Sequence, residues 1–188
     1  DLLTATAFVT DYQSDALDNT TTTTGAQLGW KHKFSENTSM LLSLGGYQLD
    51  SDFKVGNLVF SDSSTGALFE VDLTHQSPLT RYTLGLSNRL EPSSLGLVRN
   101  NQRVDASINH ALTERLAVRL SGLALRVEST DDRYQGDNRV YYEMDSSIAG
   151  KHADLWNLRA GYRYANQQYD TWTEAADASR ISVAIEFN

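Results

Sequence analysis

The sequence contains no cysteine. That excludes disulfide bridges, thiolate metal sites and a cysteine nucleophile. There are only two prolines, and no stretch approaches the ~18 consecutive apolar residues that a membrane-crossing helix requires. Basic residues are fewer than acidic ones, 16 against 24, for a formal net charge of -8. A phosphate-binding surface needs the opposite excess, so no nucleic-acid partner is expected. The chain opens at Asp1 with neither a charged leader nor an apolar signal core; an exported form is expected to have lost its signal peptide already. No phosphate loop, dinucleotide fingerprint, nucleophile elbow or haem motif occurs. No cofactor and no metal are expected.

What is present, over and over, is alternation with a period of two. Ile181, Val183, Ile185 and Phe187 alternate with Arg180, Ser182, Ala184 and Glu186. Trp156, Leu158, Ala160, Tyr162 and Tyr164 alternate with Asn157, Arg159, Gly161 and Arg163, and Ala67, Phe69, Val71 and Leu73 with Leu68, Glu70, Asp72 and Thr74. A helix would spread these charges all round its axis, so the segments read as strands. The mean hydropathy of -0.43 suggests a soluble protein. It is equally the signature of a transmembrane β-barrel, whose strands average lipid-facing apolar residues with polar inward ones.

Ten strands are predicted, near residues 2–13, 22–34, 39–50, 65–76, 80–90, 98–111, 115–128, 139–153, 156–168 and 179–188. In the seventh, Leu116, Val118 and Leu120 share one parity and Leu123, Leu125 and Val127 the other; a bulge near Ser121 and Gly122 would reconcile them. The connections alternate. Short ones fall at 35–38, 77–79, 112–114 and 154–155, long ones at 14–21, 51–64, 91–97, 129–138 and 169–178. An even number of strands with short turns at one end and long loops at the other predicts an all-β, antiparallel, up-and-down transmembrane barrel, its turns and both termini in the periplasm. The 188 residues suffice for one such barrel domain, or for part of a larger one built from more strands or several copies. A soluble β-sandwich would also alternate, but it would bury its apolar faces against each other and would not need the regular turn–loop rhythm.

With that pattern the chain resembles the bacterial outer-membrane β-barrel proteins over nearly its whole length. The last strand, with Ile181, Val183, Ile185 and Phe187, resembles the carboxyl-terminal signal by which such proteins are recognised for assembly, except that Asn188 follows the terminal aromatic. The resemblance implies outer-membrane lipids, lipopolysaccharide and the outer-membrane assembly machinery as partners, with a further protein partner or self-association also open. In strand number the chain matches the omptins, but their catalytic His-Asp and Asp-Asp arrangement is absent.

Strand parity assigns the inner face. Its basic set is Lys31, Lys33, Arg81, Arg89, Arg99, Arg103, Arg119, Arg126, Arg139, Lys151, Arg159, Arg163 and Arg180; its acidic set is Glu70, Asp72, Asp105, Glu128, Glu143, Asp145 and Glu186. Two readings follow: a narrow anion-attracting passage, or a lumen packed with Arg–carboxylate pairs that stiffens a small barrel. The loops carry the opposite sign, with Asp15, Asp18, Asp50, Asp52, Asp62, Asp131, Asp132, Asp137, Asp170, Glu174 and Asp177 against Lys54 and Arg133. They suit divalent cations shared with lipopolysaccharide phosphates, or simply solvation.

His32, His75, His110 and His152 each close a descending strand just before a short turn. Their spacing matches no zinc ligand set. With Trp30 and Trp156 they read as an interfacial girdle, the depth that amphipathic rings favour. His75 and Ser77, with Asn88 downstream, resemble the His-x-Ser and Asn of outer-membrane phospholipase A, where His would activate Ser and Asn orient His. Pro78 departs from that family's motif, and the short turn puts the pair at the wrong end of the barrel. The leading expectation is a non-enzymatic envelope protein, a narrow anion-attracting channel or transport-linked component. The alternatives are a structural or adhesive barrel binding through its acidic loops, and a lipid hydrolase using His75 and Ser77.

Overall fold

The computed structural model describes residues 1–14, 19–55, 58–92, 98–130, 138–152 and 156–187. These form ten strands: β1 (Leu2–Ser14), β2 (Asn19–Ser35), β3 (Thr38–Val55), β4 (Leu58–Gln76), β5 (Thr80–Pro92), β6 (Val98–Thr113), β7 (Leu116–Ser129), β8 (Arg139–His152), β9 (Trp156–Tyr169) and β10 (Ala176–Phe187). Each predicted strand is present. They hydrogen-bond in chain order in one sheet, β1 to β10, and every neighbouring pair is antiparallel. This is an up-and-down barrel wall with β1 and β10 at its two edges. It curls: Phe8 and Tyr12 of β1 line the same cavity as Leu90 of β5 and Val98 of β6. Leu2 pairs with Lys31 and Phe187 with Trp156, so both termini lie at the short-turn end.

Alternation along each strand sorts the side chains between two faces. The outer face is apolar and open, as at Leu3 (79% exposed) and Ile181 (81%). With a single sheet among the described residues, nothing covers that face, the opposite of a sandwich. On β6 the outer residues run His110, Ile108, Ala106, Val104, Gln102. The polar His110 and Gln102 that bound the apolar residues therefore stand roughly 27 Å apart along the strand at ~3.4 Å per residue. A barrel tilt of ~40° reduces this to about 20 Å, close to the ~25 Å band of outer-membrane barrels.

Two expectations are corrected. Residues 51–55 and 58–64 are strand rather than loop; the β3–β4 ladder continues through Phe53↔Phe60 to Val55↔Leu58. Its β-branched and aromatic pairs outweigh the Ser, Asp and Gly signals that suggest a break. At 18 and 19 residues these strands run well beyond the ~9–11 that cross a bilayer. The predicted bulge near Ser121 and Gly122 is also absent. β7 keeps one register with both neighbours from Ala117 to Val127, and register shifts occur instead at Lys33/Ser35 and Ala111/Thr113, beside the turns. The change of parity in the sequence is real, but it marks a change of surroundings. Leu123, Leu125 and Val127 stay on the inner face, where Val127 is 3% exposed. Arg126 and Glu128 move to the outer face, where they pair with each other and Gln102 donates to Glu128.

On the β1–β4 side the inner face is built by aromatic rings filling glycine gaps. A Cβ at Gly25 would meet the Phe8 ring at 2.4 Å, and one at Gly66 the Tyr47 ring at 2.6 Å. Along one register row the chain reads Phe8, Gly25, Tyr47, Gly66. At Gly45 the obstruction is backbone, with Ala26 O only 2.2 Å from a Cβ; at Gly46 the nearest atom is 3.4 Å away.

Two outcomes are expected. Gly45→Ala should lower unfolding stability by about 1–3 kcal/mol, as overpacking does, whereas Gly46→Ala should change it by less than half as much; urea unfolding in detergent micelles compares them. Met144→Arg, in the middle of the outer face, should cost ~2–4 kcal/mol, and Gln102→Arg, at its edge, about 0–1. Equal costs would mean that the apolar band is misplaced.

Candidate functional site: the inner face of the sheet

Cross-strand register places the predicted inner charges in rows. One row reads Lys31, Leu41, Asp72, Gly85, Asp105, Leu123, Glu143 across β2 to β8. It gathers acidic groups at mid-height. Gly85 makes room between two of them: a Cβ there would lie 2.9 Å from the Asp105 carboxylate. The adjacent row toward the loops contains Glu70 and Arg103, with Arg89 next above on β5. On the short-turn side come Asp145 and Arg163, then Arg81 and Arg119, then Arg159.

All of these carboxylates except Asp72 are ion-paired with an arginine nearby. Arg89 pairs with Glu70. Arg103 Nε donates to Asp105 at 2.8 Å. Arg163 spans two carboxylates, Glu143 at 3.5 Å and Asp145 at 3.3 Å, and the Tyr141 hydroxyl donates to Glu143. Arg81, Arg119 and Arg159 have no carboxylate partner among the described residues. Ion pairs gather at mid-height, where Lys31 and Arg180 also stand without a carboxylate partner among the described residues, and the unpaired Arg81, Arg119 and Arg159 lie toward the short turns.

Of the predicted set, Arg126 and Glu128 leave the inner face together, and Glu91, omitted from the prediction, joins it: it accepts from Asn101 and lines a cavity with Arg103 and Asp105. A strand running to residue 92 rather than 90 accounts for the omission. Among residues with described side chains up to the level of Glu91 and Arg99, the inner face holds twelve Lys and Arg and six Asp and Glu. The side chains of His152, Trp156, Glu186 and Phe187 lie outside the described set.

Of the girdle residues, Trp30, His32, His75 and His110 occupy the outer face beside the turns. The His32 ring stacks on Trp30 (5.1 Å between centroids) and meets Phe34 edge-on (4.5 Å), and it pairs with Asp1. His75 Nδ1 lies 2.8 Å from Thr38 Oγ1, and His110 Nδ1 2.7 Å from Thr80 Oγ1. In each case the threonine is the direct cross-strand partner. His32, His75 and His110 are thus spent one by one on separate neighbours, and no metal-binding cluster exists among the described residues. Ser77 is not brought to His75: its hydroxyl donates to Thr80 O (3.1 Å) and accepts from Thr80 N (3.0 Å), closing the turn. Asn88 is 8% exposed and donates to Ala67 O at 2.8 Å.

Of the acidic loop set, Asp50, Asp52 and Asp62 sit on the extended β3–β4 ladder, where Ser61 donates to Asp52 at 2.6 Å. Asp170 and Glu174 lie between β9 and β10, and Asp177 begins β10. Asp15, Asp18, Asp131, Asp132, Asp137 and Arg133 fall outside the described residues.

No protein-family model matches the chain, and no curated protein matches its sequence. Solved structures do. The in-vitro folded form of OmpT, an outer membrane protein of Vibrio cholerae, is 12% identical, with a TM-score of 0.53 over 100% of this chain and 64% of its own. The outer-membrane expressed form gives 13% identity and a TM-score of 0.52, over 98% of this chain and 64% of its own. A loop L8 deletion mutant gives 15% and 0.50, over 97% of this chain and 62% of its own. The chain spans just under two thirds of the length of these neighbours. Such identities speak to fold alone, and with the ten-strand meander and its exposed apolar belt they place this chain in the fold of the bacterial outer-membrane β-barrel proteins.

Proposed function

We propose that the chain forms the wall of a narrow, anion-preferring pore in a bacterial outer membrane, as a non-enzymatic transport component with its short turns and both termini in the periplasm. The observation that carries this reading is the separation of paired from unpaired charge. Glu70, Asp105, Glu143 and Asp145 are held by three arginines, which offset all but one of their four charges. Arg81, Arg119 and Arg159 keep theirs. In a confined passage, rings of fixed positive charge raise the local anion concentration and repel cations. The mid-height ion pairs also fix the arginine side chains that would otherwise sweep the lumen.

The test is the reversal potential of the refolded full chain in a planar bilayer under a potassium chloride gradient. An anion-selective potential is expected. Replacing Arg81 and Arg119 together by Gln should bring the chloride-to-potassium permeability ratio down at least threefold, with a larger effect at low salt because screening weakens the field. Arg126→Gln, on the outer face, should leave the ratio unchanged. Cation selectivity, or no current from protein shown to be folded and inserted, would overturn the reading.

A further inference from the structure

The unpaired arginines are not scattered. Arg119 on β7 and Arg159 on β9 stand on either side of β8, one row apart, since Arg119 pairs with Ser147 and Arg159 with Ala149. The residues between them are small. Ser147 faces Gly161 across the β8–β9 ladder and Gly161 faces Ser182 on β10. A Cβ at Gly161 would sit 3.4 Å from both the Ser147 Cβ and the Ser182 hydroxyl. The result is a trough of about 610 Å³, with a guanidinium group rising on each side and serine hydroxyls along its floor. Glu143 and Asp145 line it as well, and Arg163 reaches both, offsetting one of their two charges.

We propose that this trough is a binding site for small dicarboxylates, one carboxylate held by Arg119 and the other by Arg159. The inference rests on the pore reading above and names its solute class. A guanidinium presents a planar fork of donors matched to a carboxylate, and a charge-assisted pair of this kind is about twice as strong as a neutral hydrogen bond. Two such forks separated by a floor of small side chains fit a solute with an acid group at each end. The serine hydroxyls serve the middle of that solute or the water that accompanies it. A monocarboxylate engages one fork and leaves the other uncompensated. A single phosphate group concentrates its charge on one centre, whereas the two arginines start two strands apart, roughly 10 Å at the backbone.

The probes are succinate, acetate and inorganic phosphate, compared in two assays on the refolded full chain at low ionic strength: block of the chloride current, and calorimetric binding in detergent. Succinate is expected to half-saturate at a concentration at least tenfold below acetate and phosphate. Arg119→Gln and Arg159→Gln should each raise the succinate value about tenfold and leave acetate within threefold. Arg159→Lys, which keeps the charge but loses the fork, should fall between. Gly161→Val keeps both arginines and fills the floor, and it should lose the succinate preference while remaining chloride-selective. Succinate no better than acetate or phosphate, or a preference that survives both Arg119→Gln and Gly161→Val, overturns the site and leaves the pore reading standing. Succinate binding in the calorimeter without chloride current overturns the pore reading and keeps the site.

Discussion

The interaction on which everything else depends is the backbone hydrogen bond between neighbouring strands. In a hydrocarbon environment an unpaired amide has no water to fall back on, and leaving it unsatisfied costs several kcal/mol. The chain meets that constraint with antiparallel ladders that run strand to strand with few interruptions; the register shifts sit beside turns, at Lys33/Ser35 and Ala111/Thr113. Once β7 is locked to β6 and β8 in one register, no local preference of Leu123 or Arg126 for one face can be honoured without breaking hydrogen bonds on both sides. The ladder prevails, and the two side chains find partners where it puts them.

That fixed register also makes the inner face an ordered surface. Because each row is set by pairing, Asp72, Asp105 and Glu143 arrive at one height from strands far apart in sequence. Carboxylates so close together need cations, and arginines one row away supply them. Salt bridges of this sort contribute little to stability where they are well solvated; their consequence here is positional. They hold Arg89, Arg103 and Arg163 in place and leave Arg81, Arg119 and Arg159, with Lys31, Lys33 and Arg180, as cations without a carboxylate partner among the described residues. The β1–β4 side solves a different problem by different means: Phe8 over Gly25 and Tyr47 over Gly66 close gaps without charge. The inner face consequently has its aromatic fill on β1–β4 and its ion pairs on β4–β9.

At the short-turn end the same economy applies on the outside. Thr38 with His75 and Thr80 with His110 are repeated cross-strand hydrogen bonds, placed at the level where a strand leaves the hydrocarbon and polar groups become tolerable. Ser77, which as a lone motif invites comparison with a nucleophile, is occupied in closing the tight turn between β4 and β5.

The sequence by itself determined the ten strands, their antiparallel order, which residues of most strands face lipid, and the basic surplus of the inner face. All of these follow from a period of two and from turn chemistry, which are local. It did not determine the extent of the β3–β4 ladder, because Asp, Ser and Gly in that stretch signal a loop while their cross-strand partners, invisible along the chain, sustain the pairing. Nor did it determine the face of Arg126 and Glu128, because parity within one strand cannot report the register imposed by two neighbours. Which arginines are neutralised and which stand free was decided only by tertiary structure. An ion pair such as Arg163 with Glu143 and Asp145 depends on distances of a few ångströms between separate strands, and no spacing along the chain encodes those distances.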